Sequence, residues 1–107
     1  LACAAISKVL DLFEEQKILD NVNEVGAYLS AKLDELVEKY DYIKEHRGVG
    51  LLHGLECNGP VGDIIIKALD KGLLLINAGT NVIRFIPPLV ITRENVDEMI
   101  AILEECL

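Results

Sequence analysis

Arg84 is the residue whose type and setting point most directly to chemistry. It lies in an otherwise apolar segment, Val82-Ile83-Arg84-Phe85-Ile86, which two prolines follow at once. On a β-strand alternate side chains share a face, so Arg84 would lie between Val82 and Ile86. A guanidinium is always charged and can hold a carboxylate through two parallel hydrogen bonds. The segment therefore fits a site for a small carboxylic acid. A strand at a sheet edge, with Arg84 reaching solvent, fits it equally well.

No other group of residues forms a recognisable reactive centre. Gly48 and Gly50 lie at the start of a predicted strand, whereas a dinucleotide-binding loop leads into a helix. His53 and Glu56 would lie on opposite faces of that strand, so they cannot share a metal ion. His46 is predicted to be a solvated residue of the connection before the strand. We therefore predict no catalytic residue and no metal ligand. If chemistry takes place near this domain, its reacting groups come from elsewhere, and Arg84 would supply a binding contact.

Length and charge exclude several classes of protein. The 107 residues suit one domain, 1–107. The net charge is −8 and the ten basic residues are scattered, which argues against nucleic-acid binding. The longest apolar runs, such as residues 73–76, are far shorter than the roughly 18 residues that cross a membrane. Three cysteines without a Cys-x-x-Cys pair suit a reducing compartment, so we expect a cytoplasmic protein.

Two observations indicate that the chain belongs to a longer polypeptide. It starts at Leu1, and its only methionine is Met99. Hydrophobic residues make up 51% of it, a high share for a small free domain. We therefore expect an exposed apolar patch that packs on further protein or on a second copy.

The spacing of apolar residues predicts four helices and three strands. The helices are expected from Ala2 to Gln16, from Asp20 to Tyr40, from Val61 to Lys71, and after Thr92 as the capping residue. One strand is expected over residues 49–57, and a hairpin pairs residues 73–77 with 82–86. The order predicts an α+β fold, a small, mainly antiparallel three-stranded sheet with helices packed on one face.

Several segments, in the same order and at similar spacing, resemble one protein family. They are Leu1-Ala2-Cys3-Ala4-Ala5, residues 43–54 with the pattern Arg-Gly-x-Gly-Leu-Leu-x-Gly, residues 72–77, and Arg84-Phe85-Ile86-Pro87-Pro88-Leu89. The last is the most specific. Over its whole length the chain resembles the C-terminal small domain of class III pyridoxal-phosphate-dependent aminotransferases.

The resemblance implies a role for Arg84 and places the cofactor elsewhere. Arg84 would bind a substrate carboxylate and so hold the amino acid over pyridoxal 5'-phosphate. The Schiff-base lysine, the acidic partner of the cofactor ring and the phosphate-binding groups would lie in a large domain before Leu1. We therefore expect no cofactor bound to this chain alone, and no activity from it alone.

The same resemblance implies partners and substrates for the full-length protein. It would be a homodimer that acts on amino-acid and 2-oxo-acid substrates and binds neither nucleic acid nor membrane. The expected reaction moves an amino group between N-acetylornithine and 2-oxoglutarate in arginine biosynthesis. Family members that act on ornithine, succinylornithine or 4-aminobutyrate are the alternatives. Outside the family, the alternative is a non-catalytic module that binds a carboxylate or serves assembly.

Overall fold

Four antiparallel strands form one sheet, and helices cover one of its faces. The computed structural model describes residues 1–107. In chain order the elements are α1 (Ala2–Glu15), α2 (Ile18–Lys39), β1 (Ile43–Val49), β2 (Leu52–Cys57), α3 (Gly62–Asp70), β3 (Ile76–Ala78), β4 (Val82–Phe85) and α4 (Arg93–Cys106). The strand order is β1-β2-β4-β3, and all neighbouring strands are antiparallel. The predicted α+β class is confirmed.

The predicted number of strands is wrong by one, because residues 43–57 form a hairpin. Val49 pairs with Leu52, so Gly50 and Leu51 are a two-residue turn within the segment that the sequence predicts as one strand. Gly50 has a φ of 59°, a conformation that glycine adopts without steric cost and that the first position of such a turn requires. The sheet therefore has four strands rather than three.

The core lies between the sheet and helices α2, α3 and α4. Apolar residues from all three helices and from β1, β2 and β4 form one buried cluster. Leu29, Leu33 and Leu36 of α2 line up at three- and four-residue steps and are almost fully buried, in the same cluster as Leu55 and Ile83 of the sheet. The helical periodicity read from the sequence is thus the periodicity of the buried surface.

A close approach of two backbones fixes α2 against the first hairpin. A Cβ atom added to Gly26 would lie 2.4 Å from the carbonyl oxygen of Gly50. Only a residue without a side chain allows α2 to pass so near the turn. The glycine at position 26 is therefore required by the packing of α2 on the first hairpin.

Helix α1 lies outside the core. None of its residues is buried, and Ile6, Val9 and Leu10 expose about half or more of their surface. Large apolar side chains are also exposed on the sheet face away from the helices, among them Leu52 and Ile76. The expected exposed apolar surface is therefore present.

No helix of the chain combines the length and the apolar character that a membrane crossing needs.

Candidate functional site

Arg84 lies on the sheet face that the helices leave uncovered. Its neighbours Ile83 and Phe85 are buried in the core, whereas Arg84 itself is only partly buried. In the ladder it pairs with Ile76 of β3 on one side and with Gly54 of β2 on the other. Gly54 contributes no side chain to this face, and a Cβ atom added to it would lie 3.4 Å from Cγ1 of Val82. The strand alternation predicted from the sequence is thus the alternation observed.

Arg84 has no acidic partner in the chain, unlike the other two arginines. Arg47 contacts Glu45 at 3.0 Å and Glu56 at 2.7 Å, and Arg93 contacts Glu24 at 3.3 Å. No ion pair or side-chain hydrogen bond involves Arg84. A partly buried guanidinium without a counter-ion in an apolar setting is well suited to receive an anion.

The acid on the neighbouring strand is already engaged. Glu56 lies on the same sheet face as Arg84, opposite Val82. Its carboxylate accepts hydrogen bonds from Arg47 at 2.7 Å and from Lys44 at 3.3 Å. These bonds hold the pKa of Glu56 below its ordinary value. Glu56 is therefore ionised and bound to other cations, and it does not neutralise Arg84.

Hydrogen bonds hold the segments on both sides of strand β4. Before it, the Asn81 carbonyl accepts from the Cys57 amide at 2.7 Å, which joins the β3–β4 turn to the end of β2. After it, Pro87 and Pro88 cannot continue the ladder. The loop that follows is held by Asn21 of α2, whose side-chain amide donates to the Leu89 and Ile91 carbonyls. Arg84 is therefore carried on a short strand with both ends anchored.

An open pocket of about 510 Å³ lies beside β4. Ten of its fourteen lining residues are hydrophobic. The lining combines residues 73–76 and 84–88 with Leu29 of α2, Ile91 of the loop before α4, and Asn95, Val96 and Met99 of α4. Arg84 is the one charged residue among them, so the pocket combines an apolar wall with a single cation.

The residues of the pocket do not fit a complete pyridoxal-phosphate site. Such a site needs a lysine for the Schiff base and an acid beside the pyridine nitrogen. The pocket contains neither a lysine nor an acidic residue. The residues that line this pocket therefore lack two of the groups that such a site needs.

The two histidines lie together, which the sequence did not predict. His46 Nε2 is 2.9 Å from His53 Nδ1, and the rings stack with centroids 5.0 Å apart. The His46 side chain is only 6% exposed, so its interpretation as a solvated connector residue is wrong. A bulge between Ile43 and Glu45 shifts the alternation of side chains along β1. As a result His46 lies opposite Leu55, on the sheet face that the helices cover. His53 and Glu56 do lie on opposite faces, as predicted, and no group of residues in the chain is arranged to hold a metal ion.

Comparison with known proteins gives a consistent result over the whole chain. The family model described as aminotransferase class-III matches residues 1–107. The acetylornithine aminotransferase of Gloeobacter violaceus is 44% identical over 106 residues, covering 97% of this chain and 26% of that protein. The 5-aminovalerate aminotransferase DavT of Pseudomonas putida is 38% identical over 117 residues, covering 99% and 28%.

Solved structures agree in fold. Acetylornithine aminotransferase from Elizabethkingia anophelis superposes with a TM-score of 0.90 at 30% identity, covering 98% of this chain and 27% of that one. An amine transaminase from an uncultivated Pseudomonas species, solved in a PLP-bound form, gives 0.89 at 33% identity, covering 98% and 26%. The chain spans about a quarter of the length of these relatives.

Proposed function

Because the chain belongs to the class-III aminotransferase family, we propose that it is the small domain of a pyridoxal-phosphate-dependent aminotransferase and that Arg84 binds the substrate carboxylate. The observation that carries the proposal is the state of Arg84. It is the one arginine of three without an acidic partner, it is partly buried, and it borders a largely apolar pocket.

Arg84 would act by positioning rather than by proton transfer. The bound cofactor supplies an electron sink that weakens a bond at the substrate α-carbon. A guanidinium that grips a carboxylate through two hydrogen bonds fixes both the position and the rotation of the amino acid. The apolar wall lowers the local dielectric constant beside the guanidinium and so strengthens that contact.

The proposed substrates follow from the relatives. Several of those that this chain matches at 41–45% identity are acetylornithine aminotransferases. We therefore propose amino transfer between N-acetylornithine and 2-oxoglutarate, in arginine biosynthesis. The 5-aminovalerate aminotransferase is 38% identical to this chain, so a relative with a different named substrate is only slightly less similar in sequence. Donor choice between acetylornithine, ornithine, succinylornithine and 4-aminobutyrate would depend on residues outside this chain.

The rest of the proposal concerns the full-length protein. It would be a cytoplasmic homodimer, and its lysine-bearing domain would supply the cofactor site. The three free thiols of this chain are compatible with a reducing compartment. This chain alone would neither hold the cofactor nor turn over substrate.

The test is Arg84→Gln in the intact enzyme, with Arg47→Gln as the matched control. The control removes the same charge from the same sheet face, but from an arginine that two glutamates already hold. Hydrogen bonds to charged groups contribute about 1.5–3 kcal/mol each, so losing two should lower kcat/KM for carboxylate substrates by about 100-fold or more. Arg47→Gln should leave kcat/KM within a few-fold of the wild-type value.

A substrate pair separates binding from general damage. An amine that lacks the carboxylate should react with wild-type and Arg84→Gln enzyme at similar rates, followed in single turnover by cofactor absorbance. If the amine loses as much rate as the amino acid, or if the amino acid loses none, Arg84 does not bind the carboxylate.

A further inference from the structure

A chain of three hydrogen bonds crosses the junction between α2 and the first hairpin. Asp34 Oδ1 on α2 lies 2.7 Å from His46 Nδ1 on β1. His46 Nε2 lies 2.9 Å from His53 Nδ1 on β2, and His53 Nε2 lies 2.7 Å from the Gly50 carbonyl oxygen in the turn. The chain thus begins at a carboxylate and ends at a carbonyl.

The space for this arrangement is made by Gly48. Gly48 pairs with His53 in the ladder, and a Cβ atom added to it would lie 2.4 Å from His53 Nδ1. Without a side chain at position 48, the His53 ring leans across β1 and reaches His46. The two imidazoles are therefore held in contact by the backbone of the hairpin.

Counting hydrogens shows that the pair needs one proton more than two neutral imidazoles carry. Both ends of the chain, an ionised carboxylate and a carbonyl, only accept hydrogen bonds. Three contacts in a row between two such acceptors need three N–H hydrogens. Two neutral histidines bring two, because each carries one N–H. With only two, one contact would set a lone pair against an acceptor at hydrogen-bond distance.

We propose that His46 and His53 form a singly protonated pair which, together with Asp34, is a pH-sensitive link between α2 and the β1–β2 hairpin. His46 is the imidazolium and donates from both nitrogens, to Asp34 and to His53. His53 is neutral, accepts at Nδ1 and donates from Nε2 to Gly50. Removal of that proton leaves either the Asp34–His46 contact or the His46–His53 contact without a hydrogen, so the chain of hydrogen bonds from α2 to the hairpin turn is broken at one of these two places.

The surroundings of the pair support this assignment. Asp34 faces it from α2, the Gly50 carbonyl from the turn, and Phe85 lies opposite His53 on β4. Burial, and secondarily the charge of His46, lower the pKa of His53, while the Gly50 hydrogen bond and Asp34 oppose them. His46 and Asp34 are the charged groups that act on His53. The extra proton therefore belongs on His46, which contacts the carboxylate directly.

Asp34→Asn tests the proton count without disturbing the fold, since Asp34 is 66% exposed. The asparagine amide can donate to His46 Nδ1, so all three contacts are then made by two neutral imidazoles. Glu38→Gln is the control, because it removes an exposed carboxylate one turn further along α2.

The first readout is the protonation state of the ring nitrogens. It is measured by NMR on the intact protein with ¹⁵N-labelled histidine, and the signals are assigned with His46→Gln and His53→Gln. At pH 7 we expect His46 doubly protonated and His53 as the Nε2–H form in wild type and in Glu38→Gln, and His46 neutral in Asp34→Asn. A neutral His46 in wild type, or a charged one in Asp34→Asn, would overturn the proposal.

The second readout tests the link itself. Hydrogen exchange of residues 43–57, corrected for the intrinsic rate, is compared at pH 7 and pH 9. Protection should fall at pH 9 by several-fold in wild type and in Glu38→Gln, and should not change in Asp34→Asn. The same pH profile in all three proteins would show that the pair does not control the junction.

Discussion

Replacing Gly26 with alanine should destabilise the protein, although alanine is the better helix former. The new Cβ atom would lie 2.4 Å from the Gly50 oxygen and 2.8 Å from the Gly50 carbonyl carbon. Ordinary contacts between carbon and oxygen begin at roughly 3.3 Å, so α2 and the turn would have to separate by about 0.9 Å. Both partners are backbone, and neither can rotate away as a flexible side chain would.

The magnitude follows from three contributions. Overpacking of this kind costs about 1–3 kcal/mol. Displacing Gly50 also weakens the hydrogen bond that its carbonyl accepts from His53, which contributes about 1 kcal/mol. The higher helix propensity of alanine compared with glycine stabilises the variant by about 1 kcal/mol and partly offsets these losses. The expected net loss is therefore about 1–3 kcal/mol, or a fall in Tm of about 4 °C or more.

Urea unfolding of wild-type and variant protein, with the slope m held in common, measures this loss. Gly62→Ala is the control, since Gly62 lies at the start of α3 and an added Cβ meets nothing within 4 Å. That variant should stay within about 0.5 kcal/mol of wild type or gain stability. If Gly26→Ala is as stable as Gly62→Ala, the contact between α2 and the turn is not as close as described.

Two further predictions concern the core and the acid range of pH. Leu33→Ala removes a side chain of zero exposure and should lower the free energy of unfolding by about 2–5 kcal/mol. Leu10→Ala, on the exposed face of α1, should lower it by less than about 0.5 kcal/mol. Equal losses in urea unfolding would contradict the assignment of the core. Because the folded pKa of Glu56 is depressed, its contribution is fully present above the unfolded value of about 4.3 and is lost as the pH falls through the folded value. Between pH 5 and pH 3 the urea midpoint of wild type should therefore fall more than that of Glu56→Gln, and parallel curves would refute the role of the Arg47 and Lys44 contacts.

Helices and the Arg84 strand were predictable because their signals are local. The three- and four-residue spacing of Leu29, Leu33 and Leu36 describes the buried face of α2 directly. Thr92 caps α4 as expected, because its hydroxyl oxygen accepts a hydrogen bond from the backbone N–H of Asn95. The apolar residues on either side of Arg84 in the sequence predict that its side chain lies on the sheet face away from the core. This prediction does not require knowing which strands pair with β4.

Strand β1 and the histidine pair were not predictable in the same way. β1 shows no apolar alternation, since of its seven residues only Ile43 is buried. From the sequence alone, Gly50 in its turn is equally compatible with a small residue inside one longer strand. The contact of His46 with His53 depends on a bulge, on the bare backbone of Gly48 and on Asp34 from another element. The absence of an acid beside Arg84 likewise depends on ion pairs that form only when the strands are assembled.

The strand order has a consequence for how this molecule can associate. The outer strands are β1, which is bulged and carries Lys44, Glu45 and Arg47, and β3, which has only three residues. A strand of another molecule could pair with the free backbone amides and carbonyls of an edge strand. Here one edge strand is bulged and charged and the other is very short, and both features disfavour such pairing. Growth of the sheet into a continuous ribbon across several molecules is thereby discouraged. Contacts with other polypeptide have to be made through side chains on its broad surfaces.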